Sequence, residues 1–143
     1  MAKTPAVSLA SLNARKAGET PFAFNLIGPD GKETDIVLKV LGAQSDAVTR
    51  LTSQLINTRR REEAERAAQA SSNRPGDAIT PVEDDVVFGQ RLAAVRLVGW
   101  EGIEEPWSPE LALQLCQMNS DIAAQVTAQS NKTANFISAS PKA

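Results

Sequence analysis

Two short runs around residue 30 constrain the fold more than any other part of the chain. Phe22, Phe24 and Leu26 alternate with Ala23, Asn25 and Ile27, and Ile36, Leu38 and Val40 alternate with Val37, Lys39 and Leu41. Between them stands Gly28-Pro29-Asp30-Gly31-Lys32. Pro29 presets φ for the second position of a turn, and Gly31 is free to take φ > 0. Strand-forming runs on either side of such a turn read as a β-hairpin. Two strands alone are only marginally stable in water. This hairpin therefore has to be covered by a third strand, a helix or another subunit. The rest of the chain carries helical signals, so the expected class is α+β: an N-terminal β-hairpin in a small antiparallel sheet, followed by a mostly α-helical C-terminal part.

Ser45 is placed to cap a long helix over about residues 45–70, with Asp46 in its first turn. Val48, Leu51 and Leu55 form its apolar stripe, widened by Ile56. Past Asn57 the stripe fades into Arg59-Arg60-Arg61-Glu62-Glu63-Ala64-Glu65-Arg66. Arg59/Glu63, Arg61/Glu65 and Glu62/Arg66 are i,i+4 pairs worth about 0.2–0.5 kcal/mol each. That half of the helix is expected to be solvated or held by a partner. Thr80-Pro81-Val82-Glu83 nearly completes a capping box and opens a helix expected to run to about Val98. A short helix follows from Ser108, and a last one from Ser120 to roughly Phe136. The expected organisation is a flexible segment over 1–20 with a short helical turn at Ser8–Leu12, then hairpin plus long helix over 21–70. A linker over 71–79, a helical region over 80–137 and a disordered tail over 138–143 complete it.

Both tryptophans lie in Val98-Gly99-Trp100-Glu101-Gly102-Ile103-Glu104-Glu105-Pro106-Trp107-Ser108-Pro109-Glu110. Ser108 is a good N-cap and Pro109 suits the first helical position. With only 4% aromatic residues and no tyrosine, the two indoles gathered at one corner between helices mark a structural keystone, a docking surface, or both. Trp100, Ile103, Trp107 and Leu111 are the first candidates for partner binding. Phe22 and Phe24 join them if their strand lies at a sheet edge.

The chain is poor in catalytic chemistry. It has no histidine and one cysteine, Cys116. This removes the commonest general base, thiolate zinc sites and any intrachain disulfide. No phosphate-binding glycine loop or nucleophile elbow is present. Glu101, Glu104, Glu105 and Glu110 invite a carboxylate or Mg²⁺ site. Without a histidine or a basic substrate-binding group, the better reading is a solvated turn. Cys116, between Leu115 and Met118, reads as a buried inert thiol. No enzyme activity, cofactor or metal is expected.

The formal charge of −2 hides an asymmetry: residues 1–75 carry 11 basic and 8 acidic side chains, residues 76–143 carry 4 and 9. The basic half could meet an acidic partner or the acidic half of another copy. The Arg59–Arg61 run is offset by Glu62, Glu63 and Glu65, so no nucleic acid is expected. No apolar run is long enough for a membrane span, and the absence of a secretory signal at the N-terminus favours an intracellular setting.

Three features together resemble tail assembly chaperones of long-tailed bacteriophages. They are the hairpin leading through Val40-Leu41-Gly42-Ala43-Gln44-Ser45-Asp46 into a helix, the Gly99-Trp100-Glu101-Gly102-Ile103 motif, and Pro106-Trp107-Ser108-Pro109-Glu110-Leu111-Ala112. The resemblance spans about residues 7–137. In that family Phe or Tyr often stands at the Trp107 position, and Asn commonly follows the Ser-Pro-Glu where this chain has Leu111. The resemblance implies a non-enzymatic protein that binds the phage tape measure protein, keeps it soluble and helps recruit tail tube subunits. It implies self-association, a location in the cytoplasm of the infected host, and absence from the mature virion. The alternatives are a structural virion component (a minor tail or head–tail protein), a small carboxylate enzyme, and a DNA binder through Arg59–Arg61.

Overall fold

The computed structural model describes residues 6–72 and 82–137. Most of the expected linker, the Thr80-Pro81 half of the capping box and the expected disordered tail lie outside these residues. The chain is α+β. Strands β1 (Phe22–Ile27), β2 (Glu33–Val40) and β3 (Leu97–Glu101) form an antiparallel sheet in the order β1-β2-β3. Helices α1 (Ala14–Ala17), α2 (Asp46–Ser72), α3 (Val82–Ala94), α4 (Pro109–Met118) and α5 (Ser120–Asn131) make up the rest, with short 3₁₀ turns at Leu9–Leu12 and Thr133–Asn135.

The hairpin forms as its residues dictate. Gly31 takes φ +79°, its N–H donates to the Gly28 carbonyl at 2.9 Å, and the Asp30 carboxylate accepts from Lys32 N–H at 3.0 Å. Phe22 pairs with Val40 and Phe24 with Leu38, then the register shifts between Asn25 and Ile27. There Thr34 substitutes for ladder bonds: its hydroxyl donates to the Leu26 carbonyl at 2.8 Å, and its own carbonyl accepts from the Asn25 side chain.

The hairpin's cover is in part a strand that the helical signal concealed. The helix opening at Val82 ends at Ala94, not near Val98, and Leu97–Glu101 pairs with β2. Val95-Arg96-Leu97-Val98 is too short an apolar run for periodicity to separate helix from strand; pairing of Leu97 with Val40 decides it. The tryptophan corner therefore joins a strand to a helix. Gly102 at the turn has φ +83°. A Cβ there would lie 2.9 Å from the Asp35 carbonyl oxygen and 3.2 Å from Ile36 Cα, so the loop crosses the β2 backbone where only glycine fits.

One sheet face carries the core. Leu26, Leu38, Val40 and Leu97 are buried against Ala112 of α4 and Val126 of α5, with Phe22, Phe24, Ile36, Trp100, Trp107, Leu115 and Phe136 packed around them. Phe22 meets Phe136 edge to face, centroids 6.0 Å apart. The opposite face is wet, and Lys39 bridges to Glu101 there at 3.3 Å. A second, smaller cluster of Ala93, Ala94 and Cys116 binds α3 to α4 and α5.

Helix starts follow their caps. The Ser108 hydroxyl accepts from Leu111 N–H at 3.1 Å, with Pro109 opening α4. Ser45 is fully buried and accepts from Val48 N–H. For α5 the cap is Asn119 rather than Ser120: its side chain accepts from Asp121 and Ile122 N–H, both at 3.1 Å. The helix ends at Asn131, short of the expected Phe136, which lets Phe136 turn back onto the sheet.

Two expectations about looseness change. The N-terminal segment carries the expected turn, but it also docks. Gly42 N–H donates to the Gly18 carbonyl at 2.8 Å, and Arg15 pairs with Asp46 at the start of α2. The arginine-rich half of α2 is held within the chain, by α3. Arg59 bonds Glu63 at 3.1 Å as expected, but it also pairs with Asp85 and covers the Phe88 ring at 4.5 Å. Arg66 pairs with Asp84 at 3.0 Å rather than with Glu62. The basic half of the sequence thus meets the acidic half across α2 and α3.

Candidate functional site

The sheet and α4 diverge where β3 ends, and the loop between them lays an apolar groove over the gap. Trp100 lies on β3, an edge strand opposite Leu38, and its indole N–H donates to the Glu105 carbonyl at 2.8 Å. That bond folds the Gly102–Pro106 loop back over the indole and sets Ile103 beside it. From α4, Leu111, Leu115 and Met118 recur at i, i+4 and i+7, the spacing of one helix face. The resulting groove has a volume of about 290 Å³ and is lined by Trp100, Ile103, Glu105, Leu111, Leu115 and Met118, with Gln114 at its side. Met118, at its open end, is 65% exposed. Glu105 lines it; Glu104 and Glu110, chain neighbours of the lining residues Ile103 and Leu111, are exposed as well, and no salt bridge engages the three among the described residues.

Three of the six sequence-derived candidates, Trp100, Ile103 and Leu111, share this groove. Trp107, Phe22 and Phe24 do not line it; they are half-buried against the core. Trp107 Nε1–H is buried and meets no acceptor among the described residues, so this indole acts as a packing ring. Met118 was missed as a site residue. Its signal was its place on the apolar Leu111–Leu115 face at the last turn of α4, followed at once by the Asn119 cap.

Cys116 faces away from the groove, into the α3–α4–α5 cluster. Burial pushes its thiol up to about 11, which keeps it protonated and poorly nucleophilic at neutral pH. The four corner glutamates are all exposed, and Glu101 is engaged by Lys39. No group of three or more His, Cys, Asp or Glu side chains able to hold a metal occurs among the described residues. No helix among them is long and apolar enough to cross a membrane. A second open apolar surface of about 500 Å³ lies between α3 and α5, lined mainly by small residues such as Gly89, Ala93, Ala123 and Ala124.

The family model described as YdaY prophage protein matches residues 45–143, from the start of α2 through the Trp100 corner, α4 and α5. The chain belongs to this prophage protein family. As a YdaY-family member it is phage-derived, and the matched span contains every residue of the groove. No curated protein and no solved structure matches the chain.

Proposed function

We propose that this chain is a non-enzymatic tail assembly chaperone that binds the tape measure protein of its phage, holds it in soluble form in the host cytoplasm and helps recruit tail tube subunits. The observation that carries the reading is the groove over Trp100, Ile103, Leu111 and Met118: mostly apolar, with one carboxylate, Glu105, in its lining, and open to solvent. A tape measure chain is long and rich in amphipathic helix. Such a helix presents apolar side chains three and four residues apart to a groove of this kind. One small groove gives weak binding, and many copies along one client raise the total while leaving each copy easy to displace. Membership of a prophage family and the resemblance of the Gly-Trp-Glu-Gly-Ile and Trp-Ser-Pro-Glu motifs to tail chaperones support the same reading. The experiment is co-expression with the tape measure protein. The wild-type chain is expected to carry the client into the soluble fraction, and Met118→Glu to fail while melting like wild type, because that side chain is largely in solvent. A folded Met118→Glu chain that still solubilises the client overturns the proposal, as does finding the chain as a stoichiometric component of purified virions.

A further inference from the structure

The N-terminal turn exposes apolar surface that the fold leaves uncovered. Leu9 is 88% and Leu12 44% exposed, yet the 3₁₀ turn bearing them is well built. Ser8 caps it, accepting from Ser11 N–H at 3.2 Å while Ser11 Oγ donates to the Ser8 carbonyl at 2.7 Å. In a 3₁₀ helix, positions i and i+3 eclipse, so Leu9 and Leu12 project from the same side as one two-leucine knob. The knob is carried on a basic stretch: residues 1–18 contain Lys3, Arg15 and Lys16 and no acidic side chain, and with Arg15 taken up by Asp46 the two lysines make its basic excess. The groove has the complementary character: it is mostly apolar, Glu105 lines it, and the exposed Glu104 and Glu110 are chain neighbours of its lining residues Ile103 and Leu111. Within one chain the knob stays in solvent, and Gly18 and Arg15 anchor the residues behind it to Gly42 and Asp46.

We propose that the Leu9/Leu12 knob of one copy seats in the Trp100–Ile103–Leu111–Met118 groove of a second copy. Knob and groove are different patches, so the contact is heterologous and propagates into a ring or an open chain rather than stopping at a two-fold dimer. The contact is small, which places its Kd on the order of 0.1 mM, and the opposite charges make it weaken as salt rises. A client helix and a neighbour's knob then compete for the same groove.

The test is mass in solution by light scattering, at a protein concentration about equal to that Kd and at low salt, without client. The wild-type average mass should exceed the monomer and fall toward it with added salt. Leu9→Asp/Leu12→Asp should be monomeric with an unchanged melting temperature, since both side chains are already exposed. In a mixture of Leu9→Cys and mass-tagged Met118→Cys chains, mild oxidation should produce the Leu9→Cys–Met118→Cys heterodimer. A monomeric wild type, a Leu9→Asp/Leu12→Asp variant with undiminished mass, or no heterodimer in the mixture overturns the proposal. Its failure is separable from failure of the chaperone reading. Leu9→Asp/Leu12→Asp leaves the groove open and should still solubilise the client, whereas Met118→Glu should lose both properties.

Discussion

Leu97 and Trp100 are three residues apart on β3, yet both side chains reach the same core face of the sheet. In a regular strand residues i and i+2 share a face, and i and i+3 point to opposite sides. Here Lys39 pairs with Gly99 and Val40 with Leu97, so Val98 is an extra residue opposite a single step of β2. The bulge resets the alternation. It seats Leu97 beside Val40 and puts Trp100 opposite Leu38, at the edge where the groove begins. Deleting Val98 removes the extra residue and leaves Leu97 and Trp100 at i and i+2 of a regular strand, so both should stay on the core face and the groove should persist. Quenching of tryptophan fluorescence by acrylamide should therefore change little, and a large rise would show that the bulge does more than reset the alternation.

The two indoles should respond differently to loss of their N–H groups. Trp100 Nε1–H donates to Glu105 O, a bond worth about 1 kcal/mol; Trp107 Nε1–H is buried without an acceptor. Trp107→Phe removes an unsatisfied donor along with some ring volume, and the two effects partly offset. Trp100→Phe loses volume and a hydrogen bond together. Urea unfolding should show Trp100→Phe to be the more destabilising by about 1 kcal/mol.

Gly102→Ala should cost about 1–3 kcal/mol, because the residue would be strained at φ > 0 and its methyl would press on the β2 backbone at Asp35 and Ile36. Gly31 also has positive φ, but a Cβ there would meet nothing within 4 Å, so Gly31→Ala should lose only the strain component. Denaturant midpoints of the two variants give the comparison.

The pairing of α2 with α3 is a matter of order more than of global stability. Exposed and half-exposed ion pairs contribute about 0–1 kcal/mol each. Asp84→Asn/Asp85→Asn should therefore shift the melting temperature little. Amide hydrogen exchange across Arg59–Arg66 should quicken, since Arg59 and Arg66 would lose their carboxylate partners on α3.

Burial raises the Cys116 thiol to about 11 from an ordinary value near 9. Below that ordinary value the thiol is neutral whether the chain is folded or unfolded, and the stability is intact. As pH climbs from 9 toward 11 the unfolded chain loses this proton first, so stability falls over that window. At about pH 8, below the ordinary thiol range, an aromatic disulfide reagent should leave the native protein almost untouched and titrate one thiol in denaturant.

Features whose signals are local were readable from residue order. The Pro29-Asp30-Gly31 turn, the Ser45 and Ser108 caps and the i, i+4, i+7 face of α4 each rest on interactions within a few residues, so no distant partner can easily override them. The buried thiol followed from the apolar neighbours of Cys116. Of the candidate residues, Trp100, Ile103 and Leu111 came together because a tight loop and the first turn of α4 already bring them near each other.

The fate of Val95–Val98 lay outside residue order, because a short apolar run satisfies helix and strand alike until a neighbour supplies hydrogen bonds. The tertiary structure supplied β2, made Leu97 and Val98 the start of β3 and completed the sheet that the hairpin required. It also directed Arg59 and Arg66 to Asp85 and Asp84, partners 26 and 18 residues away, and drew Trp107, Phe22 and Phe24 into the core. Alternation, caps and turns are written in neighbouring residues. Which apolar surface is buried and which is left open is settled only when segments far apart in the chain compete for the same face.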